Sequence, residues 1–303
     1  MKLPRGIQVL ERGWLSSNNV LLRAKAATVV DSGYGAHADQ TVALIERALD
    51  GKPLERLVNT HCHSDHMGGN AAIQRRFRCV TSIPEGEAPL VDRWDERGLI
   101  LSAADQRAER FAYEGTFRSG DTVRMGEYDW QVLAAPGHDL HAVMFFSPET
   151  RVLISGDALW ENGFGAVFAQ LFGRDTALAE TRQTLERIAN LDCGVVIPGH
   201  GRPFSDAGVA LERAFARLEG YEEDLTRLAR HVVKVLFTFS MLEKRSMPLA
   251  DLPAYLERVA ILAEINRVHL RMTPAVFAEW LVSDLERAGA LERREGLLRA
   301  RES

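Results

Sequence analysis

Thr60-His61-Cys62-His63-Ser64-Asp65-His66-Met67-Gly68-Gly69-Asn70 is the stretch on which the fold of this chain turns. It follows Leu54-Glu55-Arg56-Leu57-Val58-Asn59, whose apolar residues read as a buried strand. On an extended backbone His61 and His63 point to the same side, and Cys62 points to the other. Asp65 and His66 fall at the turn that must follow. Gly68 and Gly69 permit a tight backbone there, and Asn70 is placed to open a helix over 71–77. Four imidazole and carboxylate groups at a strand-to-helix junction point to a metal site.

Working outward, three more candidate ligands occupy similar positions. His138 ends Ala135-Pro136-Gly137-His138, after a strand-like run at 130–133. Asp157 ends Ser155-Gly156-Asp157, after Val152-Leu153-Ile154. His200 lies in Ile197-Pro198-Gly199-His200-Gly201, after Gly194-Val195-Val196. Each follows a short apolar run with glycine or proline beside it, so each is delivered by a loop at a strand end, where sites on layered α/β sheets gather.

The order His61-x-His63-x-Asp65-His66, His138, Asp157, His200 resembles the metallo-β-lactamase fold superfamily, in its hydrolase branch with two metals. The resemblance covers residues 7–210, and Asp31-Ser32-Gly33 resembles that family's N-terminal Asp-x-Gly turn. It implies a four-layer αββα sandwich. It also implies two divalent ions, with zinc first and iron or manganese open. His61, His63 and His138 would hold one ion, Asp65, His66 and His200 the other, and Asp157 would bridge them. Asp65 would also orient the nucleophile or carry its proton.

The rest of the chain is consistent with an α/β protein. Segments 7–10, 15–22 and 27–31 read as a strand meander. Residues 38–49 carry Val42, Leu44, Ile45, Ala48 and Leu49 at helical spacing and are stopped by Gly51 and Pro53. Residues 85–112 are polar, with scattered Trp94, Leu99, Ile100 and Phe111, and read as a helical insertion near the site. Residues 160–172 hold Trp160, Phe164 and Phe168, four apart. That spacing fits the packed face of a helix, but its place just after Asp157 makes these three candidate substrate-binding residues.

From residue 209 strand signals give way to helical ones at 209–235, 252–262 and 274–288, with Thr273-Pro274 as a helix start. A glycine stop and a small hairpin then resemble a winged-helix appendage. The expected division is a catalytic domain over 1–208 and a helical C-terminal domain over 209–303.

A net charge of −5 among 303 residues argues against a broad polyanion-binding surface. No run of about 18 apolar residues suggests a membrane span. Residues 1–20 lack a signal-type apolar core, and three scattered cysteines make no disulfide framework, so the expected setting is cytoplasmic. The expected partner is a small-molecule substrate, with a homodimer open and nucleic acid disfavoured. The leading functional expectation is hydrolysis of a small ester, thioester or lactone, as in the glyoxalase-II-like members. The alternatives are an RNA- or nucleotide-processing phosphodiesterase and an iron-dependent sulfur dioxygenase.

Overall fold

The computed structural model describes residues 1–301. Its first sheet has six strands in the spatial order of the chain: β1 (Ile7–Leu10), β2 (Asn19–Leu22), β3 (Ala27–Val30), β4 (Leu54–Val58), β5 (Val80–Pro84) and β6 (Gly115–Phe117). The β1-β2-β3 meander is antiparallel, and the pairings from β3 through β6 are parallel. The second sheet comprises β7 (Thr122–Met125), β8 (Tyr128–Ala134), β9 (Val143–Ser147), β10 (Val152–Gly156) and β11 (Val195–Pro198). It is antiparallel except for the pair β10–β11.

Side-chain alternation builds the layers. Val20 and Leu22 of β2 face the second sheet, while Leu21 faces outward with Val29, Ile45 and Ile73. On β10, Val152 and Ile154 meet the first sheet, and Leu153 joins the outer cluster beneath the helices. Helices Ala38–Leu49 and Asn70–Phe77 cover one outer face, and Ala177–Ala189 lies over the other. This is the expected αββα sandwich. The first helix buries Thr41, Ile45 and Leu49, one residue per turn, and Asp50 in the left-handed conformation ends it.

The C-terminal region is helical, as expected. Asp206 caps Ala207–Glu223 by accepting from the Val209 amide, and Asp224 caps Leu225–Lys244 through Thr226. Thr273 caps Pro274–Arg287, and a hairpin of β13 (Leu291–Arg294) and β14 (Leu297–Ala300) follows. The sequence reading did not foresee β12 (Ser246–Pro248), which joins that hairpin to make a small sheet in the order β12-β14-β13. Leu185 of the outer helix, Leu218, Leu236, Phe277 and Leu298 belong to one apolar cluster, so the appendage is packed continuously onto the sandwich.

Two expectations need correction. In 85–112 only Ala88–Arg93 is α-helical, because Trp94, Ile100 and Asp105 take positive φ and break the path. The segment instead packs Val91, Leu99, Leu101 and Phe111 against Cys62, Met67 and Ile83, beneath the histidine turn. Asn70 starts its helix without capping it, since its side chain is paired with Asn59. Among the described residues no helix is long and apolar enough to cross a membrane.

Candidate metal centre

The seven candidate ligands converge at one edge of the sandwich. The chain leaves β4 through His61 and His63, makes one helical turn over Ser64–Met67, and so brings Asp65 and His66 under the same opening. The carbonyl of His66 accepts from the Ser32 amide, the Ser32 hydroxyl and Asn59, which locks that turn. Gly68 is needed for closeness, because a Cβ there would lie 2.4 Å from the Gly35 nitrogen. The loops after β8, β10 and β11 deliver His138, Asp157 and His200. Gly199 leaves room for Asp157, whose Oδ1 would be 2.2 Å from any added Cβ.

The groups form two clusters, His61-His63-His138 and Asp65-His66-Asp157-His200, with the candidate ligand atoms of each within 4.8 Å of one another. Asp157 stands between them. Its Oδ2 lies 3.4 Å from His138 Nε2, and its Oδ1 lies 3.3 Å from His66 Nε2. His200 Nε2 is 3.0 Å from Asp65 Oδ2.

The other ring nitrogens show why these atoms face inward. His66 Nδ1 donates to Asp31 Oδ2 at 2.8 Å, and His138 Nδ1 donates to the Ala166 carbonyl at 2.7 Å. His61 Nδ1 lies 3.1 Å from Thr60 Oγ1, and His63 Nε2 lies 3.5 Å from Asp139 Oδ2. Four of the five imidazoles thus have an outer partner that fixes ring orientation and leaves the other nitrogen turned inward. His61 Nε2 is buried without a hydrogen-bond partner, and His63 Nδ1 points at His138 Nε2 across 2.9 Å.

Electrostatics favour a cation here. Burial, then the neighbouring His66 and His63, hold His61 well below its ordinary pKa. Burial and His138 push His63 down to about 4, so both rings are neutral donors at pH 7. Burial raises Asp157, but His66, His200 and His138 outweigh it and keep the carboxylate ionised. His66 is pulled down by burial, yet Asp157, Asp31 and Asp65 together hold it well above the usual range. Three carboxylates gathered around one buried point favour positive charge there. Imidazole and carboxylate donors without thiolate suit a borderline divalent ion.

The sequence reading placed Asp31 in an Asp-x-Gly turn without foreseeing its contacts, and it missed Asp139, Glu87 and Asn18. Asp31 also accepts from the Thr60 amide and hydroxyl, both at 2.9 Å, and so ties β3 to the motif. Glu87, buried, is held well above the ordinary range by burial and by Asp139, to which it donates. Asn18 donates to the carbonyls of Pro198 and Gly201 and tethers the Trp14 loop, so Trp14 stacks on His200 at 5.6 Å. The signal for Asp139 was its place directly after His138. Nothing local marks Glu87 or Asn18.

A cavity of about 40 Å³ opens onto His63, Asp65, His138, Asp157 and His200. Trp160 lines it and donates from Nε1 to Asp157 Oδ1 at 3.2 Å, and Phe168 lines it with its ring against His63 and His138. Phe164 does not line it. That ring is buried edge-on to Tyr221 in the outer core. Only Phe168–Leu171 is helical, so the four-residue spacing does not put Phe164 and Phe168 on one face. Val235, Leu236 and Phe239 of helix Leu225–Lys244 supply the opposite wall, and Gln106 another part of the lining.

The layered fold with two buried His/Asp clusters at the ends of its strands defines a protein built to hold metal ions. Residues 12–200 match the metallo-beta-lactamase superfamily, and the chain belongs to it. It is 31% identical over 130 residues to a hydroxyacylglutathione hydrolase of Hyphomonas neptunium, covering 43% of each chain. The chain thus spans less than half the length of that curated relative. A probable metallo-hydrolase of Bacillus subtilis is 27% identical over 249 residues, covering 69% of this chain and 74% of that one. In fold, a metallo-beta-lactamase family protein of Thermus thermophilus matches 98% of this chain and 99% of its own, with TM-score 0.59 and 20% identity. A beta-lactamase domain protein of Burkholderia ambifaria matches 100% and 94%, with TM-score 0.60 and 22% identity.

Proposed function

We propose that the protein hydrolyses an ester, thioester or lactone of a small molecule with two divalent ions, zinc first among them. The observation that carries this is the two-cluster arrangement with the Asp157 oxygens turned one to each cluster. His61 Nε2, His63 Nδ1 and His138 Nε2 would hold one ion, and Asp65, His66 Nε2 and His200 the other. When bound, two such ions supply Lewis acidity, making water acidic enough to attack near neutral pH and drawing charge from a carbonyl oxygen.

The chain's own residues do the rest. Asp157, ionised and fixed by Trp160, sets the spacing between the two clusters. Asp65 reaches the cavity and stays ionised because His66 and His200 overcome the effect of its burial. It is placed to take a proton from the attacking water. As the new C–O bond forms and the C–S or C–O bond of the substrate breaks, that proton passes to the leaving group. Trp160 and Phe168 wall the scissile group off from bulk water.

The similarity to hydroxyacylglutathione hydrolases supports a thioester or ester over a phosphodiester. The three thiols are free, in keeping with the reducing cytoplasm we infer.

The test is elemental analysis together with a panel of lactone, thioester and phosphodiester substrates. Two ions per chain and turnover of a carbonyl substrate are expected, and replacing Asp157 by Ala should lower the rate at least about 10²-fold. A single tightly bound ion, or near-normal turnover by metal-replete Asp157→Ala, overturns the reading.

A further inference from the structure

The cavity beside the inward-facing nitrogens is too small for a substrate. About 40 Å³ holds a water or two and a scissile group. The remainder of any substrate must lie elsewhere, and the structure offers one continuation. A cleft of about 970 Å³ shares His63, Ile100, His138 and Phe168 with the small cavity and runs outward between the sandwich and the C-terminal helices. Its size is at the upper end for small-molecule sites.

The walls of this cleft say what fits it. Ile100, Phe168, Leu171, Phe172, Ile261 and Val268 line it. Among the described residues nine large apolar side chains are exposed, and three of them, Leu140, Phe172 and Val268, lie along this one cleft. The charged groups it touches are engaged or peripheral. Glu264 is forked by Arg267 at 2.6 and 3.0 Å, Asp139 accepts from the His141 amide and from Glu87, and Arg97 is exposed at the mouth. Apolar atoms make up the greater part of its lining.

Resting on the hydrolase reading above, we infer that the cleft receives the hydrocarbon chain of an acyl substrate whose carbonyl sits beside His63 and His138. The substrate class is then a medium-chain fatty acyl thioester or ester, and the chain is selected by burial, not by hydrogen bonds. Residues 260–268 of the C-terminal region form the far wall, which gives that region a direct part in choosing the acyl group.

The test separates this inference from the hydrolase reading by measuring binding as well as turnover. Straight-chain carboxylates from acetate to decanoate, the products of such a reaction, are titrated calorimetrically into the zinc-supplemented full chain. Kd should fall by about fourfold for each methylene added from butyrate to octanoate. Ala260→Trp adds bulk at an exposed helix start, and Ala169→Phe fills the cleft nearer the histidines. Each should flatten the dependence, Ala169→Phe at the shorter length. Equal Kd values across the series, or a dependence unchanged in both variants, overturns the inference. Turnover of a phenyl acetate with no chain-length dependence of binding would leave the hydrolase standing and remove the acyl cleft. Strong chain-length dependence of binding without turnover of any ester or thioester would do the reverse.

Discussion

Asp31→Asn separates the role of a residue that holds a ligand from that of the ligand itself. Asp31 is 3% exposed and accepts three hydrogen bonds, from the Thr60 amide at one oxygen and from the Thr60 hydroxyl and His66 Nδ1 at the other. A carboxylate only accepts, so Nδ1 of His66 carries the hydrogen and Nε2 is free to face Asp157. Asparagine tolerates the φ of 59° at this position and keeps one acceptor for the Thr60 amide. Its amide nitrogen donates, which favours the opposite His66 tautomer, with the hydrogen on Nε2. The fold should survive at a cost of about 1–3 kcal/mol, from the two bonds at the replaced oxygen and one charge lost. Metal affinity should fall about 10–100-fold, the usual effect of removing an outer partner of a ligating imidazole. Zinc competition titration measures the affinity, and ¹⁵N chemical shifts of His66 in the metal-free protein, followed to a pH high enough to neutralise the ring, report the tautomer. Wild-type affinity with an unchanged tautomer would refute the assignment. Asp31→Ala, which strands three donors and strains the backbone, should by contrast lose about 3 kcal/mol or more in thermal or urea unfolding.

Phe164 and Phe168 should behave differently despite their spacing. Phe164→Ala is expected to cost about 3–5 kcal/mol in unfolding experiments with little change in KM, and Phe168→Ala to raise KM at a smaller stability cost. A KM rise in Phe164→Ala at temperatures where it is fully folded would contradict the packing assignment. His231 supplies an acid sensitivity remote from the metal centre. Burial, then Arg217 and Lys234, push its pKa down to about 3, against about 6.5 in an unfolded chain. Below pH 6.5 the unfolded state takes up a proton that the folded state refuses, so stability is present above that pH. It is lost towards pH 3 by up to about 1.4 kcal/mol per unit. His231→Gln should remove this slope in urea titrations at pH 7 and pH 5, and equal slopes in the two proteins would refute it. Glu243 accepts from Tyr34 and pairs with Arg107, next to the cavity residue Gln106. Glu243→Ala leaves the buried Tyr34 hydroxyl without that acceptor and should cost about 1–3 kcal/mol while lowering kcat/KM. Unchanged kcat/KM would show that Gln106 is held by other contacts.

The parts of the site that were legible in the sequence are those whose chemistry is local. His61, His63, Asp65 and His66 sit within six residues, and strand alternation is enough to aim the first two. His138, Asp157 and His200 were visible because glycine or proline beside an apolar run marks a strand end. What was hidden depends on partners brought together by packing. Asp31 acts on residues 29 and 35 positions away, and Glu87 matters only because the fold buries it against Asp139. Helical periodicity misled at 160–172, where backbone turns around Gly163 and Gly165 leave just Phe168–Leu171 helical. In 85–112 the composition allowed helices that positive φ at Trp94, Ile100 and Asp105 prevents. The four layers followed from the strand and helix pattern, whereas β12, three residues long, carries too little pattern to be seen.

The wall supplied by Val235, Leu236 and Phe239 has a consequence in time. Synthesis runs from the N-terminus, so every residue of the two clusters has been made by His200, and the helix that closes the cavity follows a few tens of residues later. At about 5–20 residues per second that interval lasts seconds. The helix that walls the cavity is thus the last of its parts to be made, and a chain cut short before it would carry all seven polar groups with that wall missing.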